Sequence, residues 1–432
     1  MIGSMLRRAQ LSGDGSTLSL DFTQMSTLAD LTSAGLTFSR STSGTYINAS
    51  GLVATATAGN PRFDYDPSTL QPRGLLIEGS ASNYLLNSDD YFGWASGNSA
   101  VADETGATAP DGTSTPDRIS DNSTNGEHFR SRQPNTTTTG TYTMSVWFKN
   151  PSTNGRRYAG LQLYAGGGTD TGGVAAVWDF NTGAATSTVG YGGKATPALV
   201  AAIQYPNGWW KATLSISVTG TLTTLFARIL LSSDGTATSY ANSGTALGIL
   251  AWGAQLETGS GASSYIPTGA STGNRASESL YLDGAAFSAF WPSGQSELSV
   301  YFAGDITRPP ANTQFLWLSR TGSGGVGASR TRSFITTANS IRANTTVNDL
   351  NSTLFAAINT RIRTAVGVRS GSCALATNNG TTSTIVTNAD TGLSTDATQL
   401  VFNPNADVFQ HVSSLKFWPT RLSDAQLQAL TT

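Results

Sequence analysis

The chain of 432 residues is long enough for two or three domains, and its charged fraction of 12% is about half of the roughly 25% that is usual in soluble domains. Its formal net charge is only −2, so the sequence lacks the basic surface that would attract a phosphate backbone, and nucleic acid is excluded as a main partner. Glycine is abundant (47 residues) whereas the helix-favouring residues Glu and Lys are scarce, which excludes a mainly helical fold and predicts an all-β one.

Residues 1–75 form the first predicted part. Short alternating segments typical of β-strands occur at 18–22, 36–40 and 45–47, and Gly44 and Gly51 interrupt the pattern. This part is too short to bury a large core of its own. We therefore expect a short N-terminal β extension that packs on another surface.

Residues 76–275 form the second predicted part. The clearest strand is 141–149, which places Tyr142, Met144, Val146 and Phe148 on one face and Trp147 on the other. Further strand-like segments, separated by turns rich in Gly, Asn, Asp and Pro, are predicted at 158–164, 174–180, 209–218, 223–231 and 247–256. Short strands joined by such turns indicate a β-sandwich of the jelly-roll type.

Residues 276–432 form the third predicted part. Strands are predicted at 297–302, 314–319, 362–368 and 412–418. A short helix is predicted at 423–430, with Ser423 as its N-cap and Gln426 at the third helical position, and another helix at 348–358. The fold predicted for the whole chain is all-β, with tandem β-sandwich (jelly-roll) domains after a short N-terminal β extension.

An ordered set of motifs accompanies these elements. They lie at 73–79, 83–90, 109–113, 142–149, 207–211, 252–257, 264–268 and 274–276. This set resembles the carbohydrate-binding-module-like domain found in phage tail and head-spike fibre proteins, and residues 287–298 resemble the join that precedes a second sandwich in such proteins. The third part resembles concanavalin-like or laminin-G-like jelly rolls in residues 362–368, in the turn at Asn379-Gly380 and in residues 417–427.

The resemblance implies a non-enzymatic phage virion surface protein, as a head spike, fibre or tail-tip component that contacts host surface glycans. The partners it implies are other virion proteins, host cell-surface polysaccharide and further copies of the chain, a trimer by family analogy. Residues 1–75 would then anchor the protein to the particle. Two alternatives stay open: a purely structural decoration or adaptor protein without a ligand, and a polysaccharide depolymerase.

The sequence also bears on where the protein is made. Cys373 is the only cysteine, so no intrachain disulfide can form. No apolar segment follows Arg7 and Arg8, which predicts no signal peptide, and no window approaches the roughly 18 apolar residues of a membrane span. We expect synthesis in the host cytoplasm and a final place on the exterior of the virion.

Exposed aromatic side chains are the predicted glycan contacts, because the C–H faces of sugar rings are apolar. Trp147, Trp252 and Trp418 lie in strands that we expect to be core. Trp209 and Trp210 are adjacent in a strand and must face opposite ways, so that the outward one is a candidate platform. The candidate ligand-binding residues are Trp209, Trp210, Trp94 and Trp317.

Catalytic and metal sites are not predicted. Hydrolysis of glycans usually needs two carboxylates, and the pairs Asp64/Asp66 and Asp89/Asp90 are interpreted as turn or surface residues. Only His128 and His411 are available for a serine-hydrolase triad, and neither has a nucleophile motif nearby. Two histidines and one cysteine also make a zinc cluster unexpected, and no cofactor is predicted.

Overall fold

The computed structural model describes residues 14–432, apart from residues 135–137, 168, 195–196, 243, 293, 309–312, 320–330, 336–339, 345–348, 356–360, 379–382, 389–397 and 403–408. Strands dominate the described residues, which confirms the predicted all-β sandwich fold. The predicted Asn379-Gly380 turn lies outside the described residues.

The elements in chain order fall into three groups. The first group is β1 (Leu18–Asp21), α1 (Leu28–Ser33), β2 (Leu36–Ser39), β3 (Gly44–Ile47), β4 (Val53–Ala56), β5 (Arg62–Tyr65) and β6 (Pro72–Glu78). The second group is β7 (Ala81–Asn83), β8 (Ala95–Gly97), β9 (Ser99–Asp103), β10 (Asp117–Asp121), β11 (Gly126–Glu127), β12 (Phe129–Arg132), β13 (Gly140–Lys149), β14 (Tyr158–Gly166), β15 (Gly172–Asp179), β16 (Ala184–Tyr191), β17 (Leu199–Gln204), β18 (Trp210–Val218), β19 (Thr224–Ser232), β20 (Ser239–Tyr240), β21 (Gly248–Thr258) and β22 (Gly273–Arg275). The third group is β23 (Ser279–Asp283), α2 (Gly284–Phe290), β24 (Glu297–Ile306), β25 (Thr313–Ser319), β26 (Thr331–Ile335), β27 (Ser340–Asn344), β28 (Asp349–Phe355), β29 (Arg361–Arg369), β30 (Ser372–Asn378), β31 (Ser383–Asn388), β32 (Gln399–Phe402), β33 (Phe409–Trp418) and α3 (Asp424–Thr431).

The first and third groups share two antiparallel sheets, which we call the split sandwich. One sheet has the order β31-β30-β29-β24-β33-β6-β5 with β1 also paired to β33, and the other has the order β2-β23-β32-β25-β26-β27-β28. Leu75 and Ile77 of β6 pack with Phe302 and Phe417 in its core. Strand pairing thus places the predicted N-terminal extension in the same sheets as the third part, while the boundaries at 75 and 276 stay a prediction.

The second group forms the middle sandwich, which is inserted between β6 and β23. Its sheets have the orders β17-β18-β13-β21-β10-β9 and β16-β15-β14-β19-β12-β8. Tyr142, Met144, Val146 and Phe148 lie in the core between them, as predicted from their alternation. Trp147 packs in a separate cluster on the opposite face of β13.

A buried ion cluster lies where the chain passes between the two sandwiches. Its members are Arg40, Arg62, Glu78, Arg275 and Glu278, all at most 3% exposed. Arg62 donates to both glutamates, Arg40 to Glu278 at 2.6 Å, and Arg275 approaches Glu78 at 3.2 Å. Burial alone would raise the pKa of Glu78, but the charges of Arg275 and Arg62 hold it well below its usual range.

The ion cluster also ties the two crossings of the chain together. The Glu78 backbone N–H donates to the Glu278 carboxylate at 2.9 Å, and the Glu278 backbone N–H donates to the Glu78 carbonyl at 2.9 Å. Glu78 ends β6, and Glu278 directly precedes β23. The cluster therefore holds both connections to the middle sandwich in one arrangement.

Candidate ligand-binding cleft

A cleft of about 410 Å³ lies between the split sandwich and the middle sandwich. This volume is within the roughly 300–1,000 Å³ of small-molecule sites. The split sandwich supplies residues of β5, β6 and β33, and the two-stranded sheet of β3 and β4 adds residues of both its strands. The middle sandwich supplies residues of β13, β17, β18 and the segment 261–265. Most of the lining thus comes from strands, which are a rigid support for a binding site, whereas Tyr205 and the segment 261–265 lie in loops.

Aromatic rings form one wall of the cleft. Trp147 is 1% exposed, and its ring centroid lies 5.6 Å from that of Tyr205 and 5.6 Å from that of Tyr265, both edge to face. The Trp252 ring packs against the Trp147 ring, with 5.3 Å between their centroids. Because Trp147 alternates with Val146 and Phe148 on β13, its ring turns away from the core of the middle sandwich and toward the split sandwich.

Lys211 adds a buried cation to this wall. It lies opposite Trp147 in the pairing of β13 with β18, and its Nζ is 4.5 Å from the centroid of the Trp147 ring. The ammonium donates to the Ser263 carbonyl at 3.3 Å, and the residue is 8% exposed. Burial lowers the pKa of Lys211 to about 8, although the charges of Glu257, Glu78 and Asp64 partly offset this effect.

A histidine–aspartate pair lies on the facing wall. His411 Nε2 is 2.6 Å from Asp64 Oδ2, and the other Asp64 oxygen accepts the Ile47 backbone N–H. Burial and the charge of Arg73 lower the pKa of His411 against the opposing effect of Asp64, so the ring is neutral at neutral pH and Nε2 donates to the carboxylate. His411 Nδ1 has no hydrogen-bond partner among the described residues.

The rim of the cleft is half-buried and mixed in character. Arg73 donates through Nε to Asp305 at 3.1 Å. Asp66 accepts the backbone N–H groups of Ser68 at 2.9 Å and Thr69 at 2.8 Å, as expected for a turn residue. The apolar part of the rim comes from alternating residues of β17, which are Leu199, Ala201 and Ile203.

Three of the four tryptophans predicted from the sequence, Trp94, Trp209 and Trp210, are not among the residues that line this cleft. Trp94 is 2% exposed and packs edge to face on Tyr91, and Trp209 is 1% exposed with its indole N–H donating to the Thr108 carbonyl at 3.0 Å. Trp210 is half-buried against the core of the middle sandwich, and its ring covers Gly183. The side chain of Trp317 lies outside the described residues. Neither Trp94 nor Trp209 therefore offers an open ring face.

Sequence reasoning missed the residues that the fold brings together. Asp64 is interpreted above as a turn or surface residue, but it is 6% exposed and bonded to His411, which lies 347 positions away. No motif spacing could have indicated this pair. Lys211 had a weak signal, because it directly follows the two tryptophans of the 207–211 motif.

The α-helices in the described part of the chain are short. Within it, no helix is long and apolar enough to cross a membrane. The same residues contain no group of three or more His, Cys, Asp or Glu side chains arranged to hold a metal ion.

Comparisons with known proteins give distant matches alone. No protein-family profile matches the chain, and no curated protein matches it significantly. A carbohydrate-binding module, CBM40 of the Ruminococcus gnavus IT-sialidase bound to α2,3-sialyllactose, is 12% identical, with a TM-score of 0.27 over 32% of this chain and 83% of that chain. The LG1–3 region of the laminin α2 chain is 9% identical, with a TM-score of 0.25 over 70% of this chain and 67% of that chain.

Glycan-active enzymes are also among the matches. A GH54 α-L-arabinofuranosidase soaked with a cyclic sulfate inhibitor is 11% identical, with a TM-score of 0.28 over 41% of this chain and 40% of that chain. At TM-scores this low the likeness carries no argument about the function of this chain.

Proposed function

We propose that this protein binds glycans, without cleaving them, in the cleft between its two sandwiches, and that it does so on the outside of a phage particle. The observation that carries the binding proposal is the cleft itself, where an aromatic wall faces hydrogen-bonding side chains across a volume of about 410 Å³. The virion setting is supported by the sequence motifs that resemble head-spike and tail fibre proteins.

The composition of the cleft suits a sugar ring. The rings of Tyr205 and Tyr265 and the side chains of β17 offer apolar surface for the C–H groups of a sugar, while Asp66, Arg73 and Thr213 offer donors and acceptors for hydroxyl groups. Since most of the wall side chains are fixed by packing, little conformational entropy is lost on binding.

The carboxylic acids of the described residues favour binding without cleavage. A glycosidase needs a carboxylic acid that stays protonated near neutral pH, usually because burial raises its pKa. Among the described residues, burial raises the pKa of Asp117 to about 6 and that of Asp89, but neither lines the cleft. The acids that do line it are Asp64, with both oxygens bonded, Asp66, which caps a turn, and Glu78, which is ion-paired.

The histidine–aspartate pair does not complete a hydrolytic triad either. Such a triad needs a hydroxyl or thiol on the second ring nitrogen of the histidine. His411 Nδ1 has no such partner among the described residues. We interpret the pair as a structural link between β5 and β33, which lie on either side of β6 in one sheet.

Blocking the cleft should abolish glycan binding. We expect Ala201→Trp to reduce binding of the wild-type ligands on an array of bacterial surface glycans by at least about tenfold, because the new indole occupies the rim between Leu199 and Ile203. Ala198→Trp is the matched control, since Ala198 is exposed and does not line the cleft.

The array distinguishes the alternatives. Equal binding by both tryptophan variants contradicts the assignment of the cleft, and no binding by the wild-type protein at any glycan favours a purely structural decoration or adaptor role. Release of reducing ends from a bound polysaccharide contradicts the non-enzymatic proposal and favours a depolymerase.

We further propose that the chain acts as an oligomer with other virion proteins, a trimer by analogy with the fibres it resembles. Repeated copies on one particle would convert weak single-site binding to host polysaccharide into useful avidity.

A further inference from the structure

We infer that the ligand of the cleft carries a carboxylate that pairs with the Lys211 ammonium, so that the bound sugar is an acidic one of the uronic-acid type. This inference rests on the proposed glycan binding and adds the class of sugar.

Lys211 is a buried cation without an anionic partner among the described residues. Its one described hydrogen bond goes to the Ser263 carbonyl at 3.3 Å, and it has the Trp147 ring on one side. Two of the other three lysines reach a carboxylate: Lys194 pairs with Asp170 at 2.5 Å and Lys416 with Asp14 at 2.9 Å. A buried and unpaired charge is costly, so its place on the cleft wall calls for a function.

The acids nearest to Lys211 are already committed elsewhere. Glu257 accepts from Gln255 Nε2 at 2.7 Å and from the Ser263 backbone N–H at 2.8 Å, and its other oxygen faces Arg308 at 3.3 Å. Glu78 belongs to the ion cluster. The nearby carboxylates thus reduce the cost of burying the Lys211 ammonium. None of them pairs with it among the described residues, so the ammonium is available to a carboxylate of the ligand.

The other charges of the cleft favour a single negative charge on the ligand. Among the described residues, Arg73 bonds to Asp305 through Nε. Its terminal amino groups therefore add a second set of donors at the rim. Asp64 and Asp66 line the same cleft and oppose further negative charge. A monoanionic carboxylate satisfies Lys211 with less repulsion than a dianionic phosphate.

The experiment uses pairs of oligosaccharides that differ only in this group. Uronic-acid-containing bacterial oligosaccharides are compared with their carboxyl-reduced forms, in which each carboxylate has become a primary alcohol, for the wild-type full chain by calorimetry. We expect the acidic form to bind at least about tenfold more tightly. Lys211→Met, which keeps the apolar stem, should remove this preference, whereas Lys149→Met, a change of the same kind outside the cleft lining, should keep it.

Each result decides the question. Equal affinity of the wild-type protein for both members of the pairs, or a preference that survives in Lys211→Met, overturns the inference while glycan binding stands. Tighter binding of sulfated or phosphorylated oligosaccharides than of the uronic acids overturns the carboxylate assignment. Failure of the wild-type protein to bind any glycan overturns the proposed function and the inference together. Thermal unfolding of both variants verifies that they fold.

Discussion

Glu278→Gln should lower the free energy of unfolding by about 3–5 kcal/mol, as expected when one partner of a buried ion pair is removed. The Glu278 carboxylate accepts from Arg40 and Arg62 and from the backbone N–H of Glu78, and its side chain is 0% exposed. The amide that replaces it is neutral and leaves three buried guanidinium groups, those of Arg40, Arg62 and Arg275, with only Glu78 to balance them. The cluster holds three arginines and two glutamates, so the loss of one negative charge falls on a site that is already positive.

The matched control for this change is Glu104→Gln. Glu104 also pairs with an arginine, Arg118, at 2.5 Å, but the two side chains are 27% and 17% exposed, so that this change should cost at most about 1 kcal/mol. Urea unfolding followed by tryptophan fluorescence measures both, with the first transition compared if the two sandwiches unfold separately. Equal costs for the two variants would show that the ion cluster does not stabilise the junction.

Lys211→Met should raise the free energy of unfolding near pH 7 by about 1–3 kcal/mol, contrary to the usual effect of a buried substitution. Burial lowers the pKa of Lys211 to about 8 from an ordinary value of 10.5, so the folded state binds this proton less tightly than the unfolded state does. The protonated lysine therefore opposes folding at neutral pH. The lower end of the range allows for the attraction between the ammonium and the Trp147 ring.

The pH dependence of the free energy of unfolding tests the same effect of Lys211. Between about pH 8 and pH 10.5 the folded protein has released the Lys211 proton while the unfolded chain still holds it, so the wild-type stability should rise with pH through this window. The rise should be smaller in Lys211→Met and unchanged in Lys149→Met. A Lys211→Met variant that is less stable than the wild type at pH 7 would indicate that the lysine is a structural element of the wall.

The strand pattern of the middle sandwich could be predicted because it is local. The alternation of Tyr142, Met144, Val146 and Phe148 reports one buried face of β13, and these four side chains do lie in the core. The C-terminal helix could be predicted for the same reason, because Ser423 and Gln426 form the expected capping box at the start of α3. Both signals lie within ten residues of chain.

The sequence did not predict the structure of segments that pair with strands far away in the chain. The helix predicted at 348–358 is wrong over its described residues, since Asp349–Phe355 forms β28 and pairs with β27. The helix-favouring Leu350 and Leu354 were overridden by the ladder that a neighbouring strand offers. The pairing of β1 with β33, some 400 positions away, could not be predicted either, and it places the N-terminal part in the split sandwich.

The cleft could not be predicted for the same reason. Its walls come from residues that no local period connects, such as Asp64 with His411 and Trp147 with Tyr265. Sequence reasoning could count the tryptophans but could not tell which ring would have an open face. In the structure, the exposure of each ring depends on how the two sandwiches meet, and the ion cluster fixes that arrangement.

A crystal structure of the full chain, soaked with the oligosaccharide that binds most tightly on the glycan array, tests the central claim most directly. We predict electron density for a sugar ring in the cleft, against the Tyr205 and Tyr265 rings and with a carboxylate beside the Lys211 ammonium. Density on the outer face of the β14–β16 sheet instead, where a second cavity of about 280 Å³ lies beside Tyr191, with the cleft empty, would contradict the claim.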